Sequence, residues 1–169
     1  MARIAFVLAG DFEDVEFTHP YDAANGAGHE TVVIGTEAGQ ELTGKQDDAA
    51  ITTDTSVDQV SVDEFDALVI PGGYSPDQLR IHDGMVKFTS DFVGSGRTVA
   101  AICHAGQLLV EAGVVRGRRM TSWPSVRTEL ELAGADWVDE EVVVDDNLIT
   151  SRNPGDLDAW TSTLLDRLS

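Results

Sequence analysis

The chain has 169 residues, 42% hydrophobic and 24% charged, which predicts one globular domain over residues 1–169 and argues against disorder. Its 30 acids against 11 bases leave a net charge of −19. Phosphate-rich partners demand basic patches, so nucleic acid and anionic membrane surfaces are not expected as partners; the charge reads as solubility or a salt-rich host.

In chain order, "RIAFVLA" (3–9) is a buried opening strand, too short and too weakly flanked for a secretion signal. "DFEDVE" is a carboxylate-rich turn, and 17–27 reads as a helix with Pro20 in its first turn. "ETVVIGT" (30–36) is a second strand, and 37–64 holds short β-like pieces such as "AAITTD" but no long helix. "FDALVIPGG" (65–73) is a third strand. Met85, Phe88, Phe92 and Val93 then recur at helical spacing, closed by Gly94 and Gly96. "RTVAAIC" is a fourth strand and "AGQLLVEAGV" the helix after it. "SVRTELELAG" is a further helix, capped by Ser125 and stopped at Gly134. "EVVVDDNLITS" gives two short strands joined by a turn at 145–147. A closing helix carries Leu157, Trp160, Leu164, Leu165 and Leu168 on its apolar side. This alternation predicts an α/β fold with a mostly parallel sheet covered on both faces. Ligands then bind beyond the carboxyl ends of the strands, where "DFED", "PGGYSPD" and "CHAG" fall.

The one cysteine, Cys103, cannot form an internal disulfide, which fits a reducing cytoplasm. "AAICHA" passes from strand to helix without a linker, and such a turn lifts its central side chain above the sheet. A thiol at a helix start feels the positive end of the dipole, which lowers its pKa and favours the attacking thiolate. The plainer alternative is an inert buried cysteine. His104 follows it; its ring can serve as acid or base, and its backbone N–H lies where an oxyanion donor belongs. Gly72 and Gly73 could supply a second donor, or form an ordinary turn. One of Asp11, Glu13, Asp14 and Glu16 could point a protonated carboxyl at the thiol, and the residues alone do not choose among them. The four histidines, His19, His29, His82 and His104, show no ligand spacing, so no metal is expected. With no phosphate-binding glycine fingerprint either, no cofactor is expected.

The ordered series "DFEDVE", "FDALVIPGG", "AICHAGQLL", "AGVVRGRRMTSWP", "AGADWVDEEVVVD" and "TSRNPGDLDAW" resembles the PfpI family, the intracellular-protease branch of the superfamily that holds the parkinsonism-associated protein deglycase. The resemblance covers nearly the whole chain. It implies a flavodoxin-like three-layer α/β/α sandwich of the class I glutamine-amidotransferase type. It also implies that Cys103 is a nucleophile on a strained backbone and that Glu13 hydrogen-bonds its sulfur. His104 would follow the nucleophile, with the Gly72, Gly73 and His104 amides as the oxyanion hole. Asp77 stands where the family favours a glutamate that reaches a histidine across a subunit interface. Ala105-Gly106 replaces a frequent Gly-Pro, and Trp123, expected to line the pocket, replaces a common tyrosine; an indole can only donate. A homo-oligomer, dimer or hexamer, is implied.

The leading expectation is a stress-response thiol enzyme that removes glyoxal and methylglyoxal adducts, acting on a small aldehyde or on a glycated protein or nucleotide. The alternatives are an intracellular cysteine peptidase and a non-enzymatic oxidative-stress sensor or chaperone in which the thiol becomes a sulfinate.

Overall fold

The computed structural model describes residues 1–169. Chain order runs β1 (Arg3–Val7), α1 (Asp14–Gly26), β2 (Glu30–Gly35), β3 (Glu41–Thr43), β4 (Ala50–Thr52), β5 (Thr55–Ser56), β6 (Ala67–Ile70), α2 (Ser75–Leu79), α3 (Asp83–Gly94), β7 (Thr98–Ile102), α4 (Gly106–Glu111), β8 (Arg119–Met120), α5 (Arg127–Leu132), β9 (Asp136–Trp137), β10 (Val143–Asp145), β11 (Leu148–Ser151) and α6 (Leu157–Leu168). A seven-stranded sheet has the order β10-β11-β7-β6-β1-β2-β5. It is parallel except at β10, which pairs antiparallel with β11 through the expected turn.

Side chains alternate across this sheet, as the two-residue period of a strand requires. Ile4, Phe6 and Leu8 face one way and pack with Phe17 of α1 and Trp160 and Leu164 of α6. Ala5 and Val7 face the other way and pack with Met85, Phe88 and Phe92 of α3 and Leu108 and Leu109 of α4. Two apolar layers therefore sandwich the sheet, which makes the three-layer α/β/α architecture.

Two local expectations need correction, and one element is added to them. Helix α1 starts at Asp14, not at residue 17, so Pro20 lies in its interior and has no N–H to give the Glu16 carbonyl. The segment after "PGG" forms the short helix α2, with Pro76 in its first turn, a favoured place for proline. Ser125 does not cap α5; it sits inside a 3-10 turn at Pro124–Val126 and its side chain faces elsewhere.

Candidate active site

The carboxyl ends of β1, β6 and β7 meet at one place. Phe12 bridges Gly73, the Glu13 N–H donates to the Gly72 carbonyl at 3.2 Å, and the Tyr74 N–H donates to the Asp11 carbonyl at 2.8 Å. "DFED" and "PGGY" are thus zipped together beside the end of β7.

At that end Ile102 is extended, and Cys103 turns to φ +61°, a left-handed conformation that costs a side-chain-bearing residue free energy. A 3-10 turn, Cys103–Ala105, leads into α4. The Cys103 carbonyl accepts from the Trp123 N–H at 3.0 Å, which anchors the elbow from outside the sheet. The sulfur is buried, with the residue 7% exposed. Gly72 is required here: a Cβ on it would stand 2.8 Å from Cys103 Cβ and would overlap the Glu16 carboxyl. Gly73 has φ +76°.

The carboxyl beside the sulfur belongs to Glu16, not to Glu13. Glu16 is fully buried, its Oε1 accepts from the Gly72 N–H at 2.9 Å, and the Cys103 thiol adjoins it. Its Oε2 is buried with no partner. Glu13 is the residue preceding α1; its carboxyl turns aside and pairs with Lys45 Nζ at 2.6 Å. The physical reason is helix register: with α1 starting at Asp14, Glu16 lies four residues before Pro20 on the inward stripe with Phe17 and Ala24. The oxyanion-hole expectation changes with it. The Gly72 amide is spent on Glu16, which leaves the Gly73 and His104 amides as the donors next to the sulfur.

Burial pushes Glu16 up to about 8, and the charge of Glu13 adds to the shift. Burial, followed by the neighbouring Glu16, also pushes the Cys103 thiol well above its ordinary value, while the His104 and Gly73 amides pull it down. The lowered thiol pKa expected from the helix dipole is therefore overridden. Burial can move a pKa by ~3–5 pH units, whereas a helix end supplies about 0.3–1 kcal/mol, less than one unit, and α4 is short.

A neutral thiol needs a base, and His104 is placed to be one. Its Nδ1 lies 3.2 Å from Cys103 Sγ, and its Nε2 lies 3.5 Å from Ser125 Oγ. Its ring stacks on Trp123, centroids 6.2 Å apart and planes 25° apart. Burial first and Lys45 second hold its pKa below the usual imidazole value, so the ring is a neutral proton acceptor at pH 7. Asp77 lies exposed on α2 and acts on His104 through its charge. The other histidines are structural: His82 caps α3, His29 accepts the Ala2 N–H, and His19 bonds Thr161 and Asp158.

Sequence reasoning leaves Glu16 among four candidate acids and does not bring Lys45 or Ser125 to the site. The inward stripe of α1 could have disclosed Glu16; nothing local in the sequence marks Lys45 or Ser125, which arrive by folding.

A buried elbow cysteine at a strand end, flanked by a carboxyl and an imidazole, defines a thiol-centred α/β protein. The chain matches the model of the DJ-1/PfpI family over residues 2–167 and belongs to that family. Protein/nucleic acid deglycase 2 of Escherichia coli is 48% identical over 164 residues, covering 96% of this chain and 95% of that one. General stress protein 18 of Bacillus subtilis is 50% identical over 159 residues, covering 94% and 92%. A two-domain Anabaena variabilis protein with DJ-1/ThiJ/PfpI-like and ferritin-like domains superposes with a TM-score of 0.98 at 38% identity; the match covers 99% of this chain and 48% of that one. No helix is long and apolar enough to cross a membrane.

Proposed function

We propose that this protein is a cysteine-dependent enzyme acting on glyoxal, methylglyoxal and the adducts they leave on proteins and nucleotides. The observation that carries this reading is the burial of the nucleophile: Cys103 is 7% exposed, so a group of two or three carbons reaches the sulfur where an extended peptide strand does not. The deglycase name of the Escherichia coli relative supports it.

His104 Nδ1 takes the thiol proton as sulfur adds to the aldehyde carbon. The carbonyl oxygen gains that charge, meets the Gly73 and His104 amides, and is protonated to a hemithioacetal. Glu16 stands beside the carbon now bonded to sulfur. Moving that carbon's proton to the neighbouring carbon, and the hydroxyl proton to the neighbouring carbon's oxygen, converts the hemithioacetal to a thioester. Water then releases a hydroxy acid and restores the thiol. The sum is dicarbonyl plus water, and no oxidant or reductant enters.

The reading includes a homo-oligomer; Asp77 is exposed on α2, which leaves its carboxyl accessible to a neighbouring copy. A lone thiol stays reduced in the cytoplasm, where we place the reaction.

The test is lactate release from methylglyoxal by the wild type and by Cys103→Ser. Turnover that vanishes in the variant is expected. Casein cleavage at enzymatic rates without lactate would overturn the reading in favour of a peptidase.

A further inference from the structure

We propose that Lys45 is the specificity residue of this site: its ammonium group takes the second oxygen of a small substrate, the one on the carbon next to that attacked by Cys103. This rests on the enzymatic reading above and names the feature it selects, oxygens on two adjacent carbons.

The fold goes to some length to place this lysine. Lys45 and Lys87 are the chain's lysines, and Lys87 pairs with Asp91 on the exposed face of α3. Lys45 instead rides a loop after β3 that is fastened at several points to the site. The Asp14 carboxyl, 3% exposed, accepts the N–H groups of Gln46, Asp48 and Ala49 at 2.8, 3.0 and 2.9 Å. The Lys45 N–H donates to the Phe12 carbonyl at 2.9 Å, and the Asp11 N–H donates to the Thr43 carbonyl at 2.8 Å. Gly44 packs so closely on Asp14 that a Cβ there would overlap its carboxyl.

At the end of that scaffold, Nζ lies 2.6 Å from Glu13 Oε2 and 5.6 Å from the centre of the Tyr74 ring. It is near enough to feel the charge of Cys103 and to depress His104. An ammonium carries three N–H donors and Glu13 takes one, which leaves two for a ligand. The hydrogen bond to Glu13 raises the Lys45 pKa. The amine therefore stays charged and serves as a cation rather than as an imine-forming nucleophile.

The site has a use for that cation. With the Gly72 amide held by Glu16, the Gly73 and His104 amides serve one oxygen, that of the attacked carbon. An oxygen on the adjacent carbon meets no free backbone donor among them. It becomes anionic in an enediolate, and a hydroxy-acid product is anionic outright. Glu13 and Asp77 in a chain of net charge −19 repel such species unless a cation receives them.

The experiment follows the rate of Cys103 alkylation by iodoacetamide with lactate or lactamide present, in the wild type, Lys45→Met and Lys45→Arg. Lactate is expected to protect the wild type. Lys45→Met should weaken that protection at least about tenfold, the ~1.4 kcal/mol of one charge-assisted hydrogen bond. Lys45→Arg should recover most of it, and lactamide should respond little to either change. Equal protection of the wild type and Lys45→Met by lactate, or no protection of the wild type, overturns the proposal. Unchanged thermal unfolding establishes that the variants are folded, and protection is read in each variant as the ratio of its own alkylation rates without and with lactate, because the Lys45 charge itself bears on Cys103 and His104. Alkylation needs no turnover, so a protein that binds lactate through Lys45 yet releases none from methylglyoxal sinks the enzymatic reading alone.

Discussion

Asp14 and Glu16 stand two residues apart in the first turn of α1, 3% and 0% exposed, and receive unequal shares of hydrogen bonds. Asp14 accepts three backbone N–H groups from the loop that carries Lys45. Glu16 accepts one backbone N–H, from Gly72, and its second oxygen is buried without a partner. Burial is nearly equal, so burial does not distinguish their roles; the supply of donors does. A carboxyl well supplied with donors is a fastener. A carboxyl starved of them and desolvated holds its proton and keeps it available to its neighbour.

The largest effect belongs to the sulfur that Glu16 adjoins. Cys103→Ser should lower turnover by about a thousandfold or more with the fold intact, read by lactate release and circular dichroism. Asp14→Ala should act chiefly on stability. Three N–H groups lose their acceptor, and a loss of about 2–3 kcal/mol is expected in thermal or denaturant unfolding. If Asp14→Ala instead abolished turnover at full stability, the contrast between the two acids would break.

Glu16 gives a sharper test through pH. Its native pKa of about 8 lies above the ordinary 4.5, so between those values the native state holds a proton that the unfolded state has released. The stability from this group is therefore full below the ordinary value, declines as pH rises through the window, and levels off above about 8. Glu16→Gln should flatten that part of the curve of melting temperature against pH; an unchanged slope would mean that the carboxyl does not titrate late. The smallest effect is expected at Trp123. Trp123→Ala removes the face stacked on His104 and should cost about 1 kcal/mol or less in stability and tenfold or less in turnover.

Much of this was legible in the sequence. The apolar runs around Phe6, Leu68 and Ala100 showed a parallel sheet because strands buried on both faces need no alternation. The absence of any linker in "AAICHA" showed the elbow. The residues alone left Glu16 open among four acids and the resemblance pointed to Glu13; a helix started three residues late, at Phe17, hid the register that turns Glu16 inward. The hydrogen bond from the Gly72 amide to Glu16 joins residues 56 positions apart. Lys45 and Ser125 likewise reach the site through chain reversals, and spacing along the sequence carries no record of them.

The claim that Glu16 is the acid at the sulfur is tested most directly by lactate release from methylglyoxal in Glu16→Gln, with thermal unfolding measured on the same samples. A fall in turnover of about a hundredfold or more, the usual worth of a positioned acid or base, with no loss of stability is the expected result. Wild-type turnover in that variant, still abolished by Cys103→Ser, would contradict it.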